Sequence, residues 1–108
     1  MSEPDQGNDP PSDDPPADDA LVRDIVIVNQ KGLHARASAK FVQMVEKFNA
    51  EVRVSRGGER VGGTSIMGLM MLGAGPGSTI MVQASGKDAA DVMDAIESLI
   101  GGRFDEDD

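Results

Sequence analysis

Between Leu21 and Ile100 the apolar residues switch repeatedly between strand and helix spacing, and the first switch falls within Gly32-Leu33-His34-Ala35-Arg36-Ala37-Ser38. Alternation by two and repetition at about 3.6 residues cannot be satisfied by one element type. The chain is therefore confined to folds that mix strands and helices. Leu21 to Val28 is dense in β-branched residues and predicts a strand, with Asn29-Gln30-Lys31-Gly32 as the turn that ends it. From Ala35 the positions Ala37, Phe41, Met44/Val45 and Phe48 form a helical stripe, and Asn49 is the expected stop.

Val52 and Val54 alternate with Glu51, Arg53 and Ser55, which predicts a second strand. Arg56-Gly57-Gly58-Glu59 reads as a hairpin turn leading into a short third strand near Arg60–Val61. Thr64-Ser65 opens a short helix from Ile66 to Leu72, and Gly73-Ala74-Gly75-Pro76-Gly77-Ser78 breaks the chain again. The last strand is Thr79 to Ser85. The last helix runs from Asp88 to Ile100, with an apolar stripe of Ala89, Val92, Met93, Ile96, Leu99 and Ile100 and a cap supplied from Ser85 to Asp88. The order β-α-β-β-α-β-α predicts an α+β fold. It is an open-faced β-sandwich whose four-stranded, mainly antiparallel sheet is covered on one face by three helices.

The net charge of −9 is unevenly placed. Residues 1–20 hold seven acids and no lysine or arginine, and 105–108 add four more acids. The segment between holds eight acids and ten bases, so the folded body is mildly basic and the overall charge says little about partners. Residues 1–19 contain five prolines and almost no bulky apolar residue, which predicts a disordered acidic tail. Residues 20–104 form the domain, and 105–108 are an acidic C-terminal tail. Cysteine is absent and histidine occurs once, so neither a disulfide framework nor a zinc site is expected, and no cofactor is implied. No apolar run approaches the roughly 20 residues that span a bilayer. The start of the chain is acidic, unlike a signal peptide, so the cytoplasm is the expected location. The three aromatics, Phe41, Phe48 and Phe104, all fall outside the strands, which argues against a nucleic-acid-binding sheet.

His34 stands at the expected helix start, where free N–H groups and the positive helix end favour an anion. A neutral imidazole nitrogen is a nucleophile. A phosphoryl group placed on it meets the first-turn amides of Ala35, Arg36 and Ala37, and Arg36 adds a fork of donors that lysine cannot reproduce. Phosphoryl transfer needs little more than such positioning and charge. Lys40, one turn on, reads as surface charge. Ser65 is a helix cap and also a candidate regulatory phosphosite. The run Ile66-Met67-Gly68-Leu69-Met70-Met71-Leu72 is too apolar for two turns of helix. Leu69 and Leu72 face inward and at least one methionine fills a core gap. The rest, including Ile66, Met67 and Met70, form an adaptable partner-binding surface. Gly73–Gly77 lacks the spacing of a dinucleotide or P-loop motif and is a turn.

Gly32-Leu33-His34-Ala35-Arg36-Ala37 resembles the active-site motif of the HPr family, the histidine-containing phosphocarriers of the bacterial phosphotransferase system. Thr64-Ser65-Ile66-Met67-Gly68-Leu69-Met70 resembles that family's serine-containing motif, and the likeness runs from about Leu21 to Ile100. The resemblance implies that His34 is phosphorylated at Nδ1 by enzyme I, itself charged from phosphoenolpyruvate, and passes the group to a IIA protein. It implies that Arg36 assists, that Ile66, Met67 and Met70 dock partners, and that Ser65 is open to an HPr kinase/phosphorylase. A monomer without independent turnover is expected, serving either sugar transport or the nitrogen-related branch (NPr). A regulatory binding module, governed by phosphorylation of His34 or Ser65, is the alternative. Many members carry proline where this chain has Ala37 and serine or threonine where it has Ala35. Alanine suits a first helical turn equally well. The acidic N-terminal tail is not part of the family pattern.

Overall fold

A computed structural model describes residues 20–105. The expected tail at 1–19 and the final residues 106–108 lie outside the described residues. The elements are β1 (Leu21–Val26), α1 (Ala35–Val45), β2 (Glu51–Arg56), β3 (Glu59–Gly62), α2 (Ile66–Met71), β4 (Thr79–Ser85) and α3 (Ala89–Gly101), followed by a single turn, Arg103–Asp105. They form an α+β domain with sheet order β1-β4-β2-β3. All three strand pairings are antiparallel, one step further than the mainly antiparallel sheet expected.

Register sets the two faces of the sheet. Ile80, Val82 and Ala84 of β4 stand opposite Ile25, Arg23 and Leu21 of β1, and Val54 of β2 faces Val82. This face carries the core: Val52, Val54, Ile80, Val82 and Ala84 are buried against Phe41 and Val45 of α1, Leu69 of α2 and Val92, Met93 and Ile96 of α3. Arg23 also lies on the helix side, at the edge strand. Its guanidinium reaches Glu97 at 2.9 Å and Asp94 at 3.7 Å on α3. The hydrogen bond and charge of Glu97 hold its pKa above the usual arginine value, and the pair ties the edge strand to α3. Gly57 and Gly58, at φ +58 and +87, make the expected hairpin turn.

Several boundaries and contacts differ from expectation. β1 ends at Val26, because Ile27 pairs with the loop before β4: its N–H donates to Ser78 and its carbonyl accepts from Gly77. α1 stops at Val45 rather than at Phe48 and Asn49. Lys47 and Phe48 donate three residues back, to Met44 and Val45, tightening the chain out of the α-helix. Asp88 stands at the N-cap of α3 but makes no cap bond of its own. Its carboxylate accepts from the Asn49 amide at 2.7 Å, and its N–H donates to the Asn49 carbonyl, tying the two helix ends together. Leu99, expected in the buried stripe, is only half-buried.

Lys40 is not mere surface charge: its Nζ donates to the carbonyl of Phe104 at 2.6 Å. Arg103, Phe104 and Asp105 have φ of +60, +55 and +58. Each such residue costs on the order of 1–2 kcal/mol. The turn is offset by full burial of Phe104, worth roughly 1.5–3 kcal/mol, together with the Lys40 bond. Arg56, expected only as part of a hairpin, donates through Nη1 to the Leu72 carbonyl and so closes the end of α2.

Candidate functional site

The loop from Ile27 to His34 is held by backbone and side-chain bonds that sequence spacing does not reveal. Asn29, fully buried, donates through Nδ2 to the Gly32 carbonyl at 2.9 Å, while Gly32 N–H returns to the Asn29 carbonyl at 3.3 Å. Gly32 takes φ +65, which turns the chain toward the glycine-rich loop after α2. There the Leu33 N–H donates to the Ala74 carbonyl at 2.9 Å. The buried side chain of Ser38 reaches back to the Leu33 carbonyl at 3.3 Å. Leu33 is thus bonded on both sides, and His34 follows from a rigid base.

His34 is the N-cap of α1, with extended φ and ψ of −78 and −177. Its carbonyl accepts the first intrahelical bond, from Ser38 N–H. The ring is half-buried, and Nδ1 accepts from the Arg36 N–H at 3.2 Å. An accepting Nδ1 carries the lone pair, which assigns the ring proton to Nε2. The amides of Ala35, Arg36 and Ala37 all lie in the first turn, where no carbonyl of the helix can receive them. Ala35 and Arg36 are exposed and Ala37 is buried, so the helix start has a wet side and a packed side. His34, Ala35, Arg36 and Ala37 stand together at one helix end, with the Arg36 side chain exposed there.

Ser65 caps α2 as expected: its exposed side chain accepts from Gly68 N–H at 3.0 Å. With a helix of six residues this single bond matters. Ser65→Ala is expected to lower unfolding free energy by about 1 kcal/mol, measured by denaturant titration. Leu69 and Leu72 are buried, as expected. The four remaining large residues, Ile66, Met67, Met70 and Met71, are all exposed. The expectation that one of these methionines fills a core gap is therefore wrong. Six residues offer only one inward position per turn, and Leu69 takes it.

α2 packs beside α1, and the Leu33–Ala74 bond joins the His34 loop to the chain just past α2. The histidine and the apolar strip thus belong to neighbouring elements. Asn29, Ser38 and Ala74 were not singled out from sequence. Of these, only Asn29, a turn former just ahead of Gly32, carries a local signal.

Residues 21–101 match the family described as PTS HPr component phosphorylation site. The phosphocarrier protein HPr of Cupriavidus necator is 50% identical over 86 residues, covering 80% of this chain and 97% of the relative. The phosphocarrier protein NPr of Shewanella violacea is 40% identical over 86 residues, covering 80% and 94%. Among solved structures, HPr from Thermoanaerobacter tengcongensis superimposes with a TM-score of 0.77 at 37% identity, covering 81% of this chain and 98% of that one.

Proposed function

Because this chain belongs to the HPr family of phosphotransferase-system phosphocarriers, we propose that His34 is the residue that carries its phosphoryl group. The family implies enzyme I as donor and IIA proteins as acceptors. The observation that carries the assignment is His34 at the N-cap of α1, with Nδ1 turned to the first-turn amide of Arg36. The Nδ1 lone pair attacks the phosphorus of the donor's phosphohistidine. The donor's P–N bond breaks, and its electron pair leaves with the donor ring.

The Arg36 N–H must release Nδ1 for this to happen. That bond is a neutral one at 3.2 Å, worth about 0.5–1.5 kcal/mol net. Once freed, the same N–H, with those of Ala35 and Ala37, meets a phosphoryl oxygen in a charge-assisted bond roughly twice as strong. The exchange favours the phosphorylated state only modestly, which leaves the group transferable to a IIA protein. Nitrogen-15 NMR of the phosphorylated chain tests the assignment: the ring nitrogen bonded to phosphorus should be Nδ1, and phosphorylation at Nε2 would exclude this geometry.

Arg36 holds the transferring group through its guanidinium. Arg36→Lys keeps the charge and removes the fork, which is worth on the order of 1–2 kcal/mol at a phosphate. Transfer from phosphorylated enzyme I, followed by rapid quench, should slow by about tenfold.

Ile66, Met67 and Met70 form the surface on which enzyme I and IIA proteins dock, supported by their exposure on a helix beside α1. A second, regulatory reading rests on Ser65, exposed at the start of that same helix. Phosphorylation there by an HPr kinase/phosphorylase sets a dianion against the docking surface and governs which partners bind. Pull-down of a partner by the Ser65-phosphorylated form alone supports this control, and identical capture by both forms removes it.

A further inference from the structure

α2 divides its side chains between two tasks. Leu69 and Leu72 are buried and carry the packing, while Met67, Met70 and Met71 are exposed at positions i, i+3 and i+4. That spacing sets three thioethers on adjoining parts of one helical surface. Met67, at 69%, and Met71, at 73%, are the most exposed large apolar residues described, whereas Met93 in α3 is fully buried. α2 is held in place by the inward leucines, the Ser65 cap on Gly68, and the Arg56 bond to the Leu72 carbonyl, none of which involves Met67 or Met71.

We propose that Met67 and Met71 form an oxidation-sensitive modification site, whose conversion to sulfoxide slows phosphoryl exchange with protein partners while leaving the domain folded. The inference rests on the reading of Met67 and Met70 as docking residues and extends that surface to Met71, which lies at i+4 from Met67. The oxidant is of the peroxide class. A thioether sulfur attacks one peroxide oxygen, the O–O bond breaks, and the sulfur loses two electrons as hydrogen peroxide is reduced to water. The product replaces a flexible apolar side chain with a polar one, which an apolar interface can bury only by leaving the new oxygen without a donor. A dithiol-dependent sulfoxide reductase reverses the step, forming a disulfide and water.

The test treats the full chain with hydrogen peroxide and maps added oxygen by peptide mass. The rate of phosphoryl transfer from phosphorylated enzyme I and the far-ultraviolet circular dichroism are then measured. Met67 and Met71 should gain oxygen well before Met93, the rate should fall about tenfold, and the spectrum should not change. Reductase treatment should restore the rate. The Met67→Leu/Met71→Leu protein, referred to its own untreated rate, should keep that rate through peroxide. An unchanged rate with both residues oxidised overturns the proposal, as does an equal loss in the double variant. Unoxidised Met67→Glu separates the two ideas. Normal transfer by that variant removes the docking reading itself, whereas slow transfer beside a peroxide-insensitive natural chain removes only the oxidation site.

Discussion

His34→Ala should abolish labelling of the chain from phosphoenolpyruvate and enzyme I, with the fold retained. The loss is complete because the histidine is the single one in the sequence, so no second imidazole can take its place. The fold survives because His34 is only half-buried and its ring, which accepts from the Arg36 amide, acts as the cap at the start of α1 rather than as part of the core. Losing an N-cap side chain costs about 1 kcal/mol against the 5–15 kcal/mol of a typical domain. The backbone on either side stays anchored through the Leu33–Ala74 and Ser38–His34 bonds. Radiolabel incorporation and a denaturant melt on the same preparation separate chemistry from folding. Normal labelling of the folded variant would remove His34 as the carrier residue.

Gly32→Ala should have the largest effect on stability of any single-methyl addition in the site. Two costs coincide there. The backbone is at φ +65, which a non-glycine residue occupies at about 1–2 kcal/mol. A Cβ would also stand 2.2 Å from the Ala74 carbonyl oxygen, so one loop or the other must move, at roughly a further 1–3 kcal/mol. The displaced bond is the Leu33–Ala74 link that positions His34, so phosphoryl transfer should fall together with stability. Gly73→Ala is the internal control. Gly73 has the same φ of +65, with no atom within 4 Å of an added Cβ. It should pay only the conformational cost, and the difference between the two melts isolates the loop contact. Equal losses would mean that the approach to Ala74 does not constrain the site.

These two residues also mark how far the site was legible in the amino-acid order. The motif around His34 announced a helix start, because apolar spacing and capping act within a single turn. Gly32 was legible as part of a turn, but its reason for being glycine was not. That reason is the Ala74 carbonyl, delivered by a loop on the far side of β2, β3 and α2. The same contrast holds in α2. Inward Leu69 and Leu72 followed from length and apolar content, whereas the exposure of all three of Met67, Met70 and Met71 depended on how little of a six-residue helix the core can reach.

By itself the sequence determined the order of elements, the Gly57-Gly58 hairpin, the start of α1 at His34 and the capping role of Ser65. Each is a property of residues within a few positions of one another, and the periodicity of apolar side chains encodes it directly. The tertiary structure alone decided the strand order β1-β4-β2-β3 and the bonds Lys40–Phe104, Arg56–Leu72, Asn49–Asp88 and Leu33–Ala74. In each of these bonds at least one partner is a backbone amide or carbonyl. Every residue except proline offers both groups, so no side-chain pattern can show which will meet until the core has brought distant segments together.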